Sequence, residues 1–347
     1  MSRFPVSDHC DGQRFFNPGQ QGGRRRRLDL LRWRLGGHRA RWPERIIDPP
    51  YPPPPDSVKP GSLALTYIGH ASFLIRLPGL VVLTDPIFSE RCSPLSWLGP
   101  RRARPPGIAL DMLPRPDVVL ISHNHYDHLD LPSLRDIARR HAPRFITTLG
   151  NAATLRRAGI AEAIELDWWQ ETSLGPVRIT ATPARHFSAR SPFNRNRSLW
   201  AGFMVTGDMV TSGTGRLLFA GDSGAGPHWQ MIRERLGAPD LALLPIGAYE
   251  PRWFMRAVHM NPEEAVAAHH ALGARRSIGM HFGTFQLTDE PIDAPVRDLE
   301  AARGSARFGV LGFGETRILK GEGLCRSAGS EPLRALHLTA EPLNIIT

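Results

Sequence analysis

Residues 122–130 read SHNHYDHLD and crowd His123, His125, Asp127 and His128 into six positions. Imidazole and carboxylate are ligands of Zn2+, and two such ions side by side promote hydrolytic displacement. In an extended segment, residues two apart point the same way, roughly 6.6 Å apart before any bend. His123 and His125 can therefore converge on one ion. After the intervening turn, Asp127 and His128 can reach a second ion about 3.5–4 Å from the first.

A two-ion site needs about six or seven ligands, so partners are expected where neighbouring strands deliver short loops to a common rim. Three strand ends qualify: His186 closes VRITATPARH, Asp222 closes RLLFAGD, and His281 closes SIGMH. Five histidines and two aspartates then suffice for two ions with one shared carboxylate. Asp127 and Asp222 count as catalytic as well as ligating. His259, near the same rim and ahead of a helix, is a candidate to protonate a leaving alkoxide, or else a helix-start histidine packed on YEPRWFM. Asp85 ends LVVLTD and either orients a ligating histidine or caps a turn before Pro86. His70 reads as a more distant supporting donor, and His269 and His270 as packing or surface residues. Trp168, Trp169, Trp229 and Trp253 are candidates to line a substrate groove, or simply core.

The elements that must position these groups are short apolar runs bounded by Gly, Pro, Asp or Asn: 63–69, 72–77, 80–85, 117–122, 144–149, 176–184, 201–206, 216–222, 241–247 and 277–281. They read as strands. Helices are expected over 131–141, started by Asp130, and over 261–273, with Asn261 as N-cap, Pro262 at the first helical position and Gly273 as stop. Hairpins followed by helix-linked strands imply an α/β sandwich with sheets covered by helices.

The 347 residues carry a net charge of +10, and 41% are hydrophobic, an ordinary globular composition. Eleven arginines against four acidic residues in 1–45 supply seven of the ten charges, so the body is nearly neutral. The domains read as a basic arm and proline-rich linker over 1–60, a hydrolase body over 61–320, and a tail over 321–347. The stretch 24–42 mixes leucine and tryptophan with arginine, which reads as a peripheral contact to an anionic membrane or else as a disordered basic tail. Cys10, Cys92 and Cys325 are few and scattered, as in a reducing compartment. No secretion signal or spanning segment is read. The expected location is cytoplasmic, including peripherally at the inner membrane surface. A near-neutral body without a nucleic-acid module argues against a nucleic-acid partner.

SHNHYDHLD with His186, Asp222 and His281 resembles the metallo-β-lactamase superfamily, which implies an αββα sandwich. GHASFLI (69–75), LTDPIFSERCSP (83–94), PARHFSAR (183–190), LLPIGAYEPRWFM (243–255) and MHFGTFQLTDE (280–290) resemble, more narrowly, the family of phospholipase D that hydrolyses N-acyl-phosphatidylethanolamine. That resemblance implies two Zn2+ ions, one on His123, His125 and His186, the other on Asp127, His128 and His281, with Asp222 bridging. It implies cleavage of a phospholipid-like phosphodiester into N-acylethanolamine and phosphatidic acid by a hydroxide held between the ions, and a homodimer. Phe187 and Phe282 stand where such relatives often carry tryptophan, which bears on substrate preference. A lactonase or another metal-dependent hydrolase of the same fold is the alternative, because fold and ligands alone do not choose between them.

Overall fold

Alternation of apolar residues decides which strand faces pair. The computed structural model describes residues 3–19, 27–36, 39–210 and 213–320. The tail 321–347, Cys325 and the stretches 20–26 and 37–38 lie outside the described residues. The strands are β1 (Ser62–Gly69), β2 (Ser72–Leu77), β3 (Leu80–Thr84), β4 (Val118–Ile121), β5 (Arg144–Thr148), β6 (Ile164–Leu166), β7 (Glu171–Leu174), β8 (Val177–Thr182), β9 (Gly202–Val210), β10 (Gly213–Phe219), β11 (Leu241–Pro245), β12 (Ser277–Met280), β13 (Phe308–Gly309) and β14 (Thr316–Lys320). The helices are α1 (Arg27–Gly36), α2 (Leu131–His141), α3 (Ala152–Leu155), α4 (His228–Leu236), α5 (Arg252–Met255), α6 (Pro262–Leu272) and α7 (Ala294–Ala302).

Two seven-stranded sheets result, in the orders β14-β1-β2-β3-β4-β5-β6 and β13-β12-β11-β10-β9-β8-β7. Each sheet starts as an antiparallel meander and continues as parallel strands. Side chains two apart share a face. Phe73, Ile75, Val82, Val118 and Leu120 of the first sheet accordingly point inward to meet Phe203, Val205, Leu217 and Phe219 of the second. Leu74, Leu83, Val119 and Ile121 point outward and pack beneath Leu134 and Ile137 of α2. Trp229 and Ile232 of α4, with Ala265, Ala268 and Leu272 of α6, cover the second sheet. This is the αββα sandwich that the sequence implies.

Helix α6 starts as expected. Asn261 Oδ1 accepts from the Glu264 amide at 2.9 Å, and Glu264 Oε2 accepts from the Asn261 amide at 3.2 Å, a capping box. Gly273 ends it at φ 60°, a left-handed conformation that glycine adopts without steric cost. Helix α2 differs from expectation. Asp130 is its N-cap residue, but its carboxylate makes no cap bond and takes the Ser89 hydroxyl at 2.7 Å and the Ser133 hydroxyl instead.

Residues of the N-terminal segment pack on the body. Cys10 and Phe15 are buried in the main core, and His9 stacks on Trp168 at 4.3 Å. Within α1, Trp33 donates to Asp289 at 2.6 Å and lies 4.9 Å from Phe254. The first sixty residues carry enough aromatic surface to bind the body, which their net charge conceals.

Candidate metal centre

The site lies on one rim. β1, β3 and β4 of the first sheet run in one direction, as do β8, β10 and β12 of the second. The candidate residues follow the C-terminal ends of these strands: His70 after β1, Asp85 after β3, His123 after β4, His186 beyond β8, Asp222 beyond β10 and His281 after β12. Three of them turn at positive φ, His70 at 57°, Asp85 at 30° and His281 at 63°, so the chain folds back and aims the side chain across the strand end. The His281 amide donates to the His70 carbonyl at 2.7 Å, tying the two turns together. Gly221 has a similar task. Its φ is 59°, and a Cβ there would meet Ser122 Cβ at 2.8 Å and the Ala201 carbonyl at 2.9 Å.

Two groups of ligating atoms face each other. The first joins His123, His125, His186 and Asp222; the second joins Asp127, His128, His281 and His70. In the first, His125 Nδ1 lies 2.9 Å from His123 Nε2 and 3.1 Å from His186 Nε2. In the second, Asp127 Oδ2 lies 3.4 Å from His128 Nε2 and 3.3 Å from His281 Nε2. Asp222 Oδ2 stands between them, 3.8 Å from His123, 3.6 Å from His186, 3.1 Å from His128 and 3.2 Å from His281. Ligands about 2.0–2.1 Å from a tetrahedral ion are roughly 3.3 Å apart, so these spacings suit shared cations. Buried Asp222 Oδ1, His128 Nε2 and His281 Nε2 have no hydrogen-bond partner in the protein. Orphaned atoms of this kind are costly without a ligand.

The turn expected after His125 spans 126–128 and brings Asp127 and His128 round. The His128 and Leu129 amides both donate to the His125 carbonyl, at 3.2 and 2.9 Å. His123 and His125 converge because one offers Nε2 and the other Nδ1.

Electrostatics separate the histidines. Burial pushes His123 and His186 well below the ordinary imidazole value and His125 to about 4, which leaves them neutral, as ligands must be. Burial also opposes charge on His128 and His281, yet Asp222 and Asp127 overcome it, holding His128 well above the ordinary value and His281 at about 9. The same negative charge that raises these two imidazoles would favour a cation.

An outer layer fixes the rings. His128 Nδ1 donates to Asp85 Oδ2 at 2.6 Å. The Ser122 hydroxyl donates to the same carboxylate, so it can only accept from His123 Nδ1, at 2.9 Å. Asp85 therefore sets two ligands, one directly and one through Ser122. His186 Nδ1 donates to the Val258 carbonyl at 3.0 Å. His70 Nε2 lies 2.9 Å from Asp127 Oδ2 and braces it. His259 is buried with Nε2 4.0 Å from Asp222 Oδ2 and its ring 5.0 Å from that of His186.

A family model described as a beta-lactamase superfamily domain matches residues 81–282. The chain belongs to this family.

Relatives agree with that assignment. A metal-dependent hydrolase of Solibacter usitatus is 30% identical over 233 residues, 67% of this chain and 90% of that protein. The solved structure of a metallo hydrolase from Ignicoccus hospitalis superposes with a TM-score of 0.57 at 26% identity, covering 75% of this chain and 99% of that one. The N-acyl-phosphatidylethanolamine-hydrolyzing phospholipase D 1 of Caenorhabditis elegans is 38% identical over 236 residues, 65% of this chain. The chain spans just under two thirds of that relative, 65%. The chain thus has the metallo-β-lactamase fold, which it shares with proteins named metal-dependent hydrolases.

All ten predicted site residues meet at one rim, and His269 and His270 lie away from it on α6, as expected. Residue spacing missed Ser122, which is visible only as a polar residue closing an apolar strand. It also missed Asn17, whose amide donates to the His186 carbonyl at 2.9 Å from 169 positions away. Trp168 and Trp229 are core, and Trp169 packs beneath Arg235. Trp253 lines a cavity of about 550 Å3, shared with Trp33, Tyr249 and Asp298, and none of the candidate ligands lines it. Among the described residues no helix is long and apolar enough to cross a membrane.

Proposed function

We propose that this protein is a dinuclear zinc phosphodiesterase of the phospholipase D type, cleaving N-acyl-phosphatidylethanolamine into N-acylethanolamine and phosphatidic acid. The observation that carries the reading is the position of Asp222 Oδ2, within 3.1–3.8 Å of histidine nitrogens from both ligand groups. One carboxylate oxygen reaching both groups suits two cations and one shared ligand. The worm relative's name supplies the substrate class.

His123, His125 and His186 would hold one ion, and Asp127, His128 and His281 the other, with Asp222 bridging. Bound there, the ions supply a water acidified toward neutrality and neutralise charge on the phosphoryl oxygens. The chain does the rest. Asp85, Ser122 and the Val258 carbonyl keep the ligating histidines in fixed tautomers. His259, buried with Nε2 4.0 Å from Asp222 Oδ2, would protonate the leaving alkoxide. The exposed leucines of α1 (Leu30, Leu31 and Leu35) would bring the rim to a bilayer in which such a substrate resides.

Metal analysis and product identification test the reading together. The protein, loaded with zinc, is incubated with N-acyl-phosphatidylethanolamine beside His123→Ala, and products are identified by mass. Two ions per chain, with N-acylethanolamine released by the parent only, is the expected result. Two ions with no phospholipid cleavage, but turnover of a lactone, would move the substrate to the alternative class.

A further inference from the structure

The loop 187–197 follows the ligand His186, and its arginines have unequal duties. Arg190 is spent on structure: its guanidinium donates to the carbonyls of Asn124 at 3.0 Å and Leu129 at 2.7 Å and lies 3.9 Å over the Tyr126 ring. It secures the turn that carries four of the ligands. Arg195 makes no such bonds. Its guanidinium lies 4.2 Å over the Phe187 ring, and among the described residues no carboxylate pairs with it. Phe187 in turn stands edge-on to His125 at 4.4 Å and 4.9 Å from His186. One aromatic ring therefore separates an exposed, unneutralised cation from two ligands of the first group.

An arginine on a surface is ordinarily a solvated charge, but this one is presented by a braced loop. The Arg195 carbonyl accepts from the Arg14 guanidinium at 2.5 Å. Next to it, the Asn196 amide donates to the Ser188 carbonyl at 2.8 Å, and the Asn196 carbonyl accepts from the Phe15 amide at 2.9 Å. Asn194 Oδ1 accepts from the amides of Arg190 and Ser191, at 2.9 and 2.8 Å. The N-terminal segment thus holds this loop from outside while Phe187 supports the guanidinium from within.

A phosphodiester carries one negative charge over two free oxygens, a shape that a planar guanidinium can meet with paired hydrogen bonds; a lactone or simple ester carries none. We propose that Arg195 is a specificity-determining residue that engages the anionic group of the substrate beside the scissile bond and selects phosphodiesters over neutral esters. This rests on the phosphodiesterase reading above, and it adds the residue that chooses between the two substrate classes.

The experiment compares the parent with Arg195→Ala, Arg195→Lys and Arg195→Glu at equal metal content. Substrates are bis(p-nitrophenyl) phosphate, an anionic diester, and p-nitrophenyl acetate, a neutral ester. Arg195→Ala is expected to raise KM for the diester about tenfold, the worth of one charge-assisted hydrogen bond, with kcat within about twofold. Arg195→Glu raises it further, Arg195→Lys restores only part of it because an ammonium cannot pair both oxygens or stack on Phe187, and KM for the acetate stays put. Equal changes for both substrates, or an unmoved diester KM, would overturn the proposal. Calorimetric binding of diethyl phosphate separates the two readings, because it needs no turnover. If the parent hydrolyses only the neutral ester, the phosphodiesterase reading fails; a roughly tenfold weaker diethyl phosphate Kd in Arg195→Ala still supports the anion contact. An equal Kd in parent and variant, or no binding to the parent, sinks it.

Discussion

The side-chain amide of Asn17 donates to the backbone carbonyl of His186 at 2.9 Å, and its oxygen accepts from Trp200 Nε1 at 3.1 Å. A residue from the N-terminal segment thereby holds the backbone of a candidate metal ligand. Asn17→Ala should cost about 1 kcal/mol, typical of one intramolecular hydrogen bond. A fall of a few degrees in Tm and a several-fold weaker hold on zinc against a chelator are expected. Unchanged chelator resistance would mean that the backbone at His186 needs no brace.

Asp85 is the hub of the outer layer, since it accepts from His128 and Ser122 while Ser122 accepts from His123. Asp85→Asn turns one acceptor into a donor aimed at groups that already donate. Loss of such a partner weakens metal binding by roughly 10- to 100-fold. Zinc titration in competition with a fluorescent chelator measures this, and an affinity within about twofold of the parent would contradict the role.

His9 gives a pH dependence outside the metal cluster. Burial disfavours its charge, but Asp167 at 2.8 Å and Asp8 at 2.6 Å raise its pKa above the ordinary value. A histidine raised on folding stabilises fully below its unfolded pKa of about 6.5 and loses that contribution as pH climbs through its folded value. The parent should therefore lose Tm from about pH 6.5 upward more steeply than His9→Gln. Parallel Tm curves for the two proteins would remove His9 as a clamp.

The membrane contact proposed for α1 calls for point changes and not truncation, because Trp33 and the segment around Phe15 pack into the body. Leu31 and Leu35 are 53% and 80% exposed, so Leu31→Asp with Leu35→Asp should leave Tm within about 2 °C. Co-sedimentation with anionic vesicles should fall several-fold. Retained binding would place the contact elsewhere.

Much of this was legible in the residues. Strands were readable because both sheets bury their inner faces and the strand runs are aliphatic. The short edge strands β6, β7, β13 and β14 were not, since two to five residues are too few to carry a clear period. The seven ligand candidates could be found because each closes a strand or its turn. Ser122, Asn17 and Arg195 could not, because their roles depend on which backbone lies opposite them, and that is set by packing between distant segments. In the first sixty residues the arginine count describes the solvent side of the segment, while Phe15 and Trp33 pack into the body.

One consequence follows from the two sheets that share this rim. His123, His125, Asp127 and His128 ride on the first sheet, and His186, Asp222 and His281 on the second. Spacings near 3 Å between atoms from opposite sheets make the centre a vernier for their alignment, read across a close-packed interface that transmits strain. A core substitution that lets one sheet creep past the other by a fraction of an ångström will fall out of gauge at the metal centre long before it registers as unfolding.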